Sequence, residues 1–258
     1  MLTFLLGRNV LGGEAPTFSP TTFRSSILWT PYSLAHKPVH RWKFDESSGT
    51  FAYDSSSNEN NGTLVSGLTR AQGKIGGALS FDGVDDRVDL GAANLGITNK
   101  VSVSYWFKPN TGNGVLMAQG SNFSGNEHGW VVHLGTNHHA NSADRAISWL
   151  SSDNSGNYNG DAVVQTATNS IALNQWQHVA VIKEDAFVKI LLDGVQIKEG
   201  QVAKAGITYN LGYTFSFGKV VGDETHYKAP FNGLLDDVRI YDRALSALEV
   251  QALHQLGQ

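Results

Sequence analysis

The sequence predicts an all-β protein built from two packed antiparallel sheets, with a short C-terminal helix and an extended N-terminal arm. Short apolar segments alternate with polar residues at period two, and turn dipeptides such as Asp82-Gly83 and Asp193-Gly194 separate them. Glycine is abundant, at 28 of 258 residues, where average usage of about 7% gives roughly 18. The stretch Phe231 to Leu253 passes from strand periodicity into a helix start. A chain of this length is compatible with one sandwich domain and a sizeable core.

Residues 1–38 differ in composition from the rest of the chain. Pro16, Pro20, Pro31 and Pro38 are four of the six prolines, and Phe18, Phe23, Trp29 and Tyr32 lie among them. Prolines exclude a long helix, and the aromatic content is too high for a disordered linker. This segment is expected to be an extended arm with apolar anchors, lying on its own sandwich or on another copy or structural protein. The domain proper is residues 39–258. His40, Trp42 and Phe44 alternate with Val39, Arg41 and Lys43 as a half-buried strand. Asp54 to Gly62 reads as a polar loop, and Ala78, Leu79 and Phe81 as a strand continued through Asp82-Gly83 by Val88 and Leu90 as a hairpin.

Further along, Val101 to Phe107 and Val115 to Met117 have the pattern of central strands. Short strands near Trp130 to Leu134 and Ala146 to Leu150 sit among Asn/Ser/Gly loops. Gln177 to Lys183 and Phe187 to Leu192 form a hairpin, and Asp193-Gly194 is a type I′ turn leading into Val195 and Ile197. Tyr213, Phe215 and Phe217 precede the loop 218–230. In the closing strand, strict alternation puts Leu234, Asp236, Val238 and Ile240 on one face and Leu235, Asp237, Arg239 and Tyr241 on the other. Ser246 followed by Glu249 is a capping box, with Leu245 and Val250 as its hydrophobic staple. Leu248, Val250, Leu253 and Leu256 are expected to dock the helix on the sheet.

The run Gly233 to Val250, GLLDDVRIYDRALSALEV, resembles the end of laminin-G-like, concanavalin A-like jelly-roll domains, relatives of the pentraxins and legume lectins. HRWKFDESSGT, DSSSNENNGTL, GGALSFDG, SVSYWFKP and WQHVAVIKEDAFVKILLDGVQI extend the resemblance over about residues 39–258. It implies a two-sheet antiparallel jelly roll that serves as a recognition module. It also implies that Asp85 and Asp86 on one loop face Asp223 and Glu224 on another, where relatives hold calcium that contacts the ligand. Calcium takes six to eight hard oxygens from such loops. Against this stands the reading of the aspartates as turn formers, which is preferred for Asp82.

A net charge of −4 and a pI near 6.1 leave no electrostatic footprint for nucleic acid. No apolar run is long enough for a membrane span. The absence of cysteine removes disulfides, thiol catalysis and Cys-based zinc sites. No secretion signal is read in the N-terminus, so the protein is expected either to act inside the cell or to leave by another route, in a virion or on an extracellular surface.

Catalysis is not expected. A retaining glucanase of this sandwich class has an E-x-D-x-E strand, which is missing, and adjacent Asp236 and Asp237 would point to opposite faces. His128, His133, His138 and His139 lack an i, i+4 ligand frame, since His133 lies on an apparent strand and the other three in loops, and they read as polar histidines and not as zinc ligands. Tyr158, flanked by Asn157 and Asn159, and Tyr227 are the candidate ligand-binding residues, because sugars stack on aromatic faces and bond to amides. Trp130 and Trp149 read as core. The expectation is a glycan- or cell-surface-binding module of a virion or surface protein. The alternative is a capsid decoration or assembly subunit that grips neighbours through its arm, as a homo-oligomer. A glycosidase is a distant third.

Overall fold

The structure, a computed structural model, describes residues 37–92, 95, 97, 99–119, 129–135, 144–151, 163–202, 205–207, 214–221 and 229–258. Sixteen strands and one helix lie among them. One sheet runs in the order β14 (Val195–Gln201), β13 (Phe187–Leu192), β12 (Gln177–Glu184), β7 (Lys100–Pro109), β16 (Asn232–Tyr241), β5 (Gly77–Asp82) and β4 (Thr69–Gln72), and β1 (His40–Trp42) also pairs with β16. The second runs β11 (Val163–Gln165), β10 (Ile147–Ser151), β9 (Trp130–Leu134), β8 (Gly114–Gln119), β15 (Phe215–Phe217), β6 (Arg87–Asp89), β3 (Gly62–Val65) and β2 (Phe51–Ala52). Every pairing between these strands is antiparallel. The fold is therefore the two-sheet jelly-roll sandwich that the sequence predicts.

The core lies between the sheets. Alternation delivers Val101, Val103, Tyr105 and Phe107 from β7 against Trp130, Val132 and Leu134 from β9, with Trp42, Phe215 and Phe217 among them. Trp130 and Trp149 are fully buried and stacked, with ring centroids 5.1 Å apart. They are core, as expected from their place on strands.

Two expectations fail for local reasons. β5 and β6 are not a hairpin: β5 pairs with β16 and β4, whereas β6 pairs with β15 and β3. The chain changes sheets at residues 82–86, where the buried Asp86 carboxylate accepts the Asp82 N–H at 2.9 Å and folds the turn into a corner. In β16 the strict alternation breaks at a bulge between Asp236 and Arg239, where Asp237 takes φ 46°. An extra residue reverses the facing of everything beyond it, so Leu235, Val238 and Ile240 all reach the core.

Asp236 and Asp237 are consequently both buried. Asp237 bonds Arg41 Nε at 2.8 Å and Arg239 Nη2 at 2.6 Å. Asp236 Oδ2 accepts the Ile75 N–H at 2.8 Å and so ties down the tight Gly73–Gly76 turn. The 54–62 loop is organised by Asp54. The Asp54 oxygens accept from the N–H groups of Arg41, Ser56 and Asn60, and His40 Nδ1 stands 2.8 Å away.

The helix α1 (Ala247–Gln255) starts at the capping box, with the Ser246 side chain accepting from the Glu249 N–H and the Glu249 side chain accepting from the Ser246 N–H. Leu245 and Val250 are buried on the outer face of the first sheet with Ala180, Ile182, Leu191 and Tyr241. The apolar stripe is narrower than predicted: Leu248 is 74% and Leu256 58% exposed. No helix among the described residues is long and apolar enough to cross a membrane.

Candidate functional site

The corner between β5 and β6 gathers carboxylates because the chain must reverse there within a few residues, and aspartate suits such turns. Asp82 Oδ1 accepts the Val84 N–H at 2.7 Å, so the turn role expected for Asp82 is present. The same turn brings one oxygen each of Asp82, Asp85 and Asp86 within 4.8 Å of one another. Asp82 and Asp85 are exposed, whereas Asp86 is 4% exposed. Asp86 Oδ1 is buried without a hydrogen-bond partner. Burial pushes the Asp86 carboxyl up; the Asp82 N–H opposes the shift, and the charges of Asp82 and Asp85 add to it. A buried, partnerless carboxylate oxygen beside two further carboxylates is an arrangement that a hard cation would relieve. The oxygen-only donor set suits calcium and could hold a metal ion.

Both ends of the 218–230 loop abut this turn. A Cβ at Gly218, whose φ is +88°, would lie 2.4 Å from the Phe81 ring and 2.9 Å from the Asp86 carbonyl oxygen. At the other end, Asn232 Nδ2 donates to the Asp82 carbonyl at 2.9 Å. Asp223 and Glu224, and the ligand candidates Asn157, Tyr158, Asn159 and Tyr227, lie outside the described residues, as do His128, His138 and His139. His133 is buried on β9, on the strand the sequence pattern indicated for it.

His178 is 1% exposed and shares a 2.8 Å hydrogen bond with Ser104 Oγ, while its Nδ1 has no partner. Burial, reinforced by His254 and Arg239, lowers its pKa to about 3. Lys183 is fully buried and donates to the carbonyls of Asn99, Asp185 and Ala205. Burial lowers its pKa to about 8. Both are enclosed by the fold and are structural.

Two antiparallel sheets closed on one core, with an oxygen-rich turn at a corner, define a lectin-type β-sandwich. The profile of the concanavalin A-like lectin/glucanases superfamily matches residues 82–251, and the chain belongs to that family. No curated protein sequence matches the chain. The structure is similar to domain 4 of AbnA, a GH43 extracellular arabinanase from Geobacillus stearothermophilus, solved in complex with arabinotriose. The TM-score is 0.57 and the identity 22%, over 86% of this chain and 98% of that one. It is also similar to the receptor-binding domain of botulinum neurotoxin type G, with a TM-score of 0.59 and 15% identity over 86% of this chain. The binding domain of Paraclostridial Mosquitocidal Protein 1 gives 0.61 and 18% over 84%. This chain covers 51% and 52% of those two toxin domains, about half their length.

Proposed function

We propose that the protein is a non-catalytic glycan- or receptor-binding module whose ligand surface is organised by calcium at the corner between β5 and β6. The observation that carries this reading is the buried, partnerless Asp86 Oδ1 beside Asp82 and Asp85. Asp82, Asp85 and Asp86 would hold the ion, with Asp223 and Glu224 as further oxygens from the loop whose two ends are bonded or packed against the turn. When bound, calcium neutralises the clustered carboxylates and offers open coordination positions to ligand oxygens. Asn157, Tyr158, Asn159 and Tyr227 are the proposed ligand contacts. Structural neighbours that bind arabinotriose or receptors support a binding role. A non-catalytic role also fits Asp236 and Asp237, which are buried and engaged by the fold.

Titration calorimetry and thermal melts of the full chain with calcium test the proposal. Calcium at a hundredfold excess over its Kd should stabilise the native state by about 2.7 kcal/mol, and Asp86→Ala should abolish both the heat and the stabilisation. Identical melts in calcium and in chelator would sink the metal site. Release of reducing sugar from arabinan or β-glucan would overturn the non-catalytic reading.

An assembly role is a second reading, favoured by the Pro/aromatic composition of residues 1–38. It places the protein on a virion or cell surface as a homo-oligomer, with the arm gripping neighbouring copies.

A further inference from the structure

At the end of the second sheet, Phe51 on β2 and Tyr53 just past it are 46% and 54% exposed, while Ala52 between them is fully buried. Alternation therefore turns both rings outward, and they stand stacked with centroids 6.1 Å apart and planes 29° apart. The backbone beneath them is fixed. Arg70 Nη2 donates to the Phe51 carbonyl at 2.8 Å, and the Tyr53 N–H donates to Glu46 Oε1 at 2.8 Å. Glu46 and Arg70 are themselves paired at 2.9 Å. These two side chains line an open cleft of about 420 Å³, together with Asp45, Ser47 and Gln72.

We infer that this edge is a carbohydrate subsite in its own right, separate from the calcium corner, with Phe51 and Tyr53 as a stacking platform and the cleft residues as partners for hydroxyl groups. The inference rests on the reading of the protein as a glycan binder. Flat aromatic faces held by a bolted backbone, next to paired donors and acceptors, suit a sugar, which has an apolar face and a hydroxyl rim. The sugar is a neutral one. Arg70 is already matched by Glu46, and Asp45 adds further negative charge, so an anionic glycan gains nothing here. A second copy of the chain fits less well. The Phe51 carbonyl and the Tyr53 N–H are taken by Arg70 and Glu46, and β2 is only 2 residues long, so little ladder is left for strand addition.

The test titrates the full chain with cellotriose, maltotriose and arabinotriose, with calcium and with chelator, following the Tyr53 ring resonances by NMR. At least one trisaccharide should shift those resonances in both buffers. Phe51→Ala and Tyr53→Ala should each weaken that binding about tenfold with unchanged melts, and Asp86→Ala should leave it intact. Binding that vanishes in chelator or in Asp86→Ala, and survives both aromatic substitutions, overturns the platform while leaving the calcium corner standing. Loss of self-association in Phe51→Ala without any change in sugar binding assigns the rings to an interface between copies and overturns it. Silence of all three sugars in both buffers overturns it as well.

Discussion

Asp236 and His178 are both shut off from water, and they shift in opposite directions. Burial raises Asp236 from 3.8 to about 7, against the Ile75 N–H and with help from Asp237. Between these values the unfolded chain releases a proton that the native state keeps, so stability falls as pH rises, by up to roughly 4 kcal/mol. His178 moves from 6.5 down to about 3, with His254, Arg239 and Asp237 as its charged neighbours. Between those values the unfolded chain takes up a proton that the native state refuses, so stability rises with pH. From about pH 4.5 to 6.5 the two slopes oppose each other, and the wild-type melt should change little. Asp236→Asn should leave a melt that climbs with pH in this window, and His178→Gln one that declines. Melts at half-unit intervals decide the matter: parallel curves for all three proteins would unlink both groups from folding. The sequence places His178, beside Trp176, as a partly buried histidine and turns one of Asp236 and Asp237 inward, but their partners Ser104 and Ile75 are remote in the chain and are not readable from residue type.

Among the elements, β16 is legible as a strand and α1 as a capped helix because each depends on contacts within a few residues. The bulge at Asp237 is not, since it is set by Arg41 and Arg239 closing on one carboxylate, and Arg41 is remote in sequence. The crossing at residues 82–86 is hidden for a similar reason: Asp82-Gly83 marks a turn without saying which sheet receives the next strand. Phe51 and Tyr53 do not stand out among the many strand aromatics, although their out-in-out pattern around Ala52 is present in the sequence. The corner can be challenged directly through Gly218. Alanine there meets both a left-handed φ and contact with Phe81 and the Asp86 carbonyl. Strain and overpacking together should cost about 2–4 kcal/mol. Because the push falls on Asp86, calcium affinity should drop as well; urea unfolding and calcium calorimetry on Gly218→Ala read the two effects separately.

At the scale of the molecule, Lys37–Gln258 makes one compact unit, and the arm hypothesis concerns residues 1–38. Removing them should leave the sandwich's cooperative melt nearly intact and abolish self-association in sedimentation. Normal assembly by the shortened chain would remove the decoration reading. The sandwich also imposes an order on its own making. β16 lies between β7 and β5 and pairs with both, so a nascent chain that has emerged only as far as residue 231 carries two strands whose shared neighbour does not yet exist. Their open ladder edges can be capped by nothing earlier in the sequence without forming the wrong sheet. The domain is thus bound to fold after β16 has left the ribosome, and a polypeptide stalled short of it is a substrate for chaperones or a seed for aggregates.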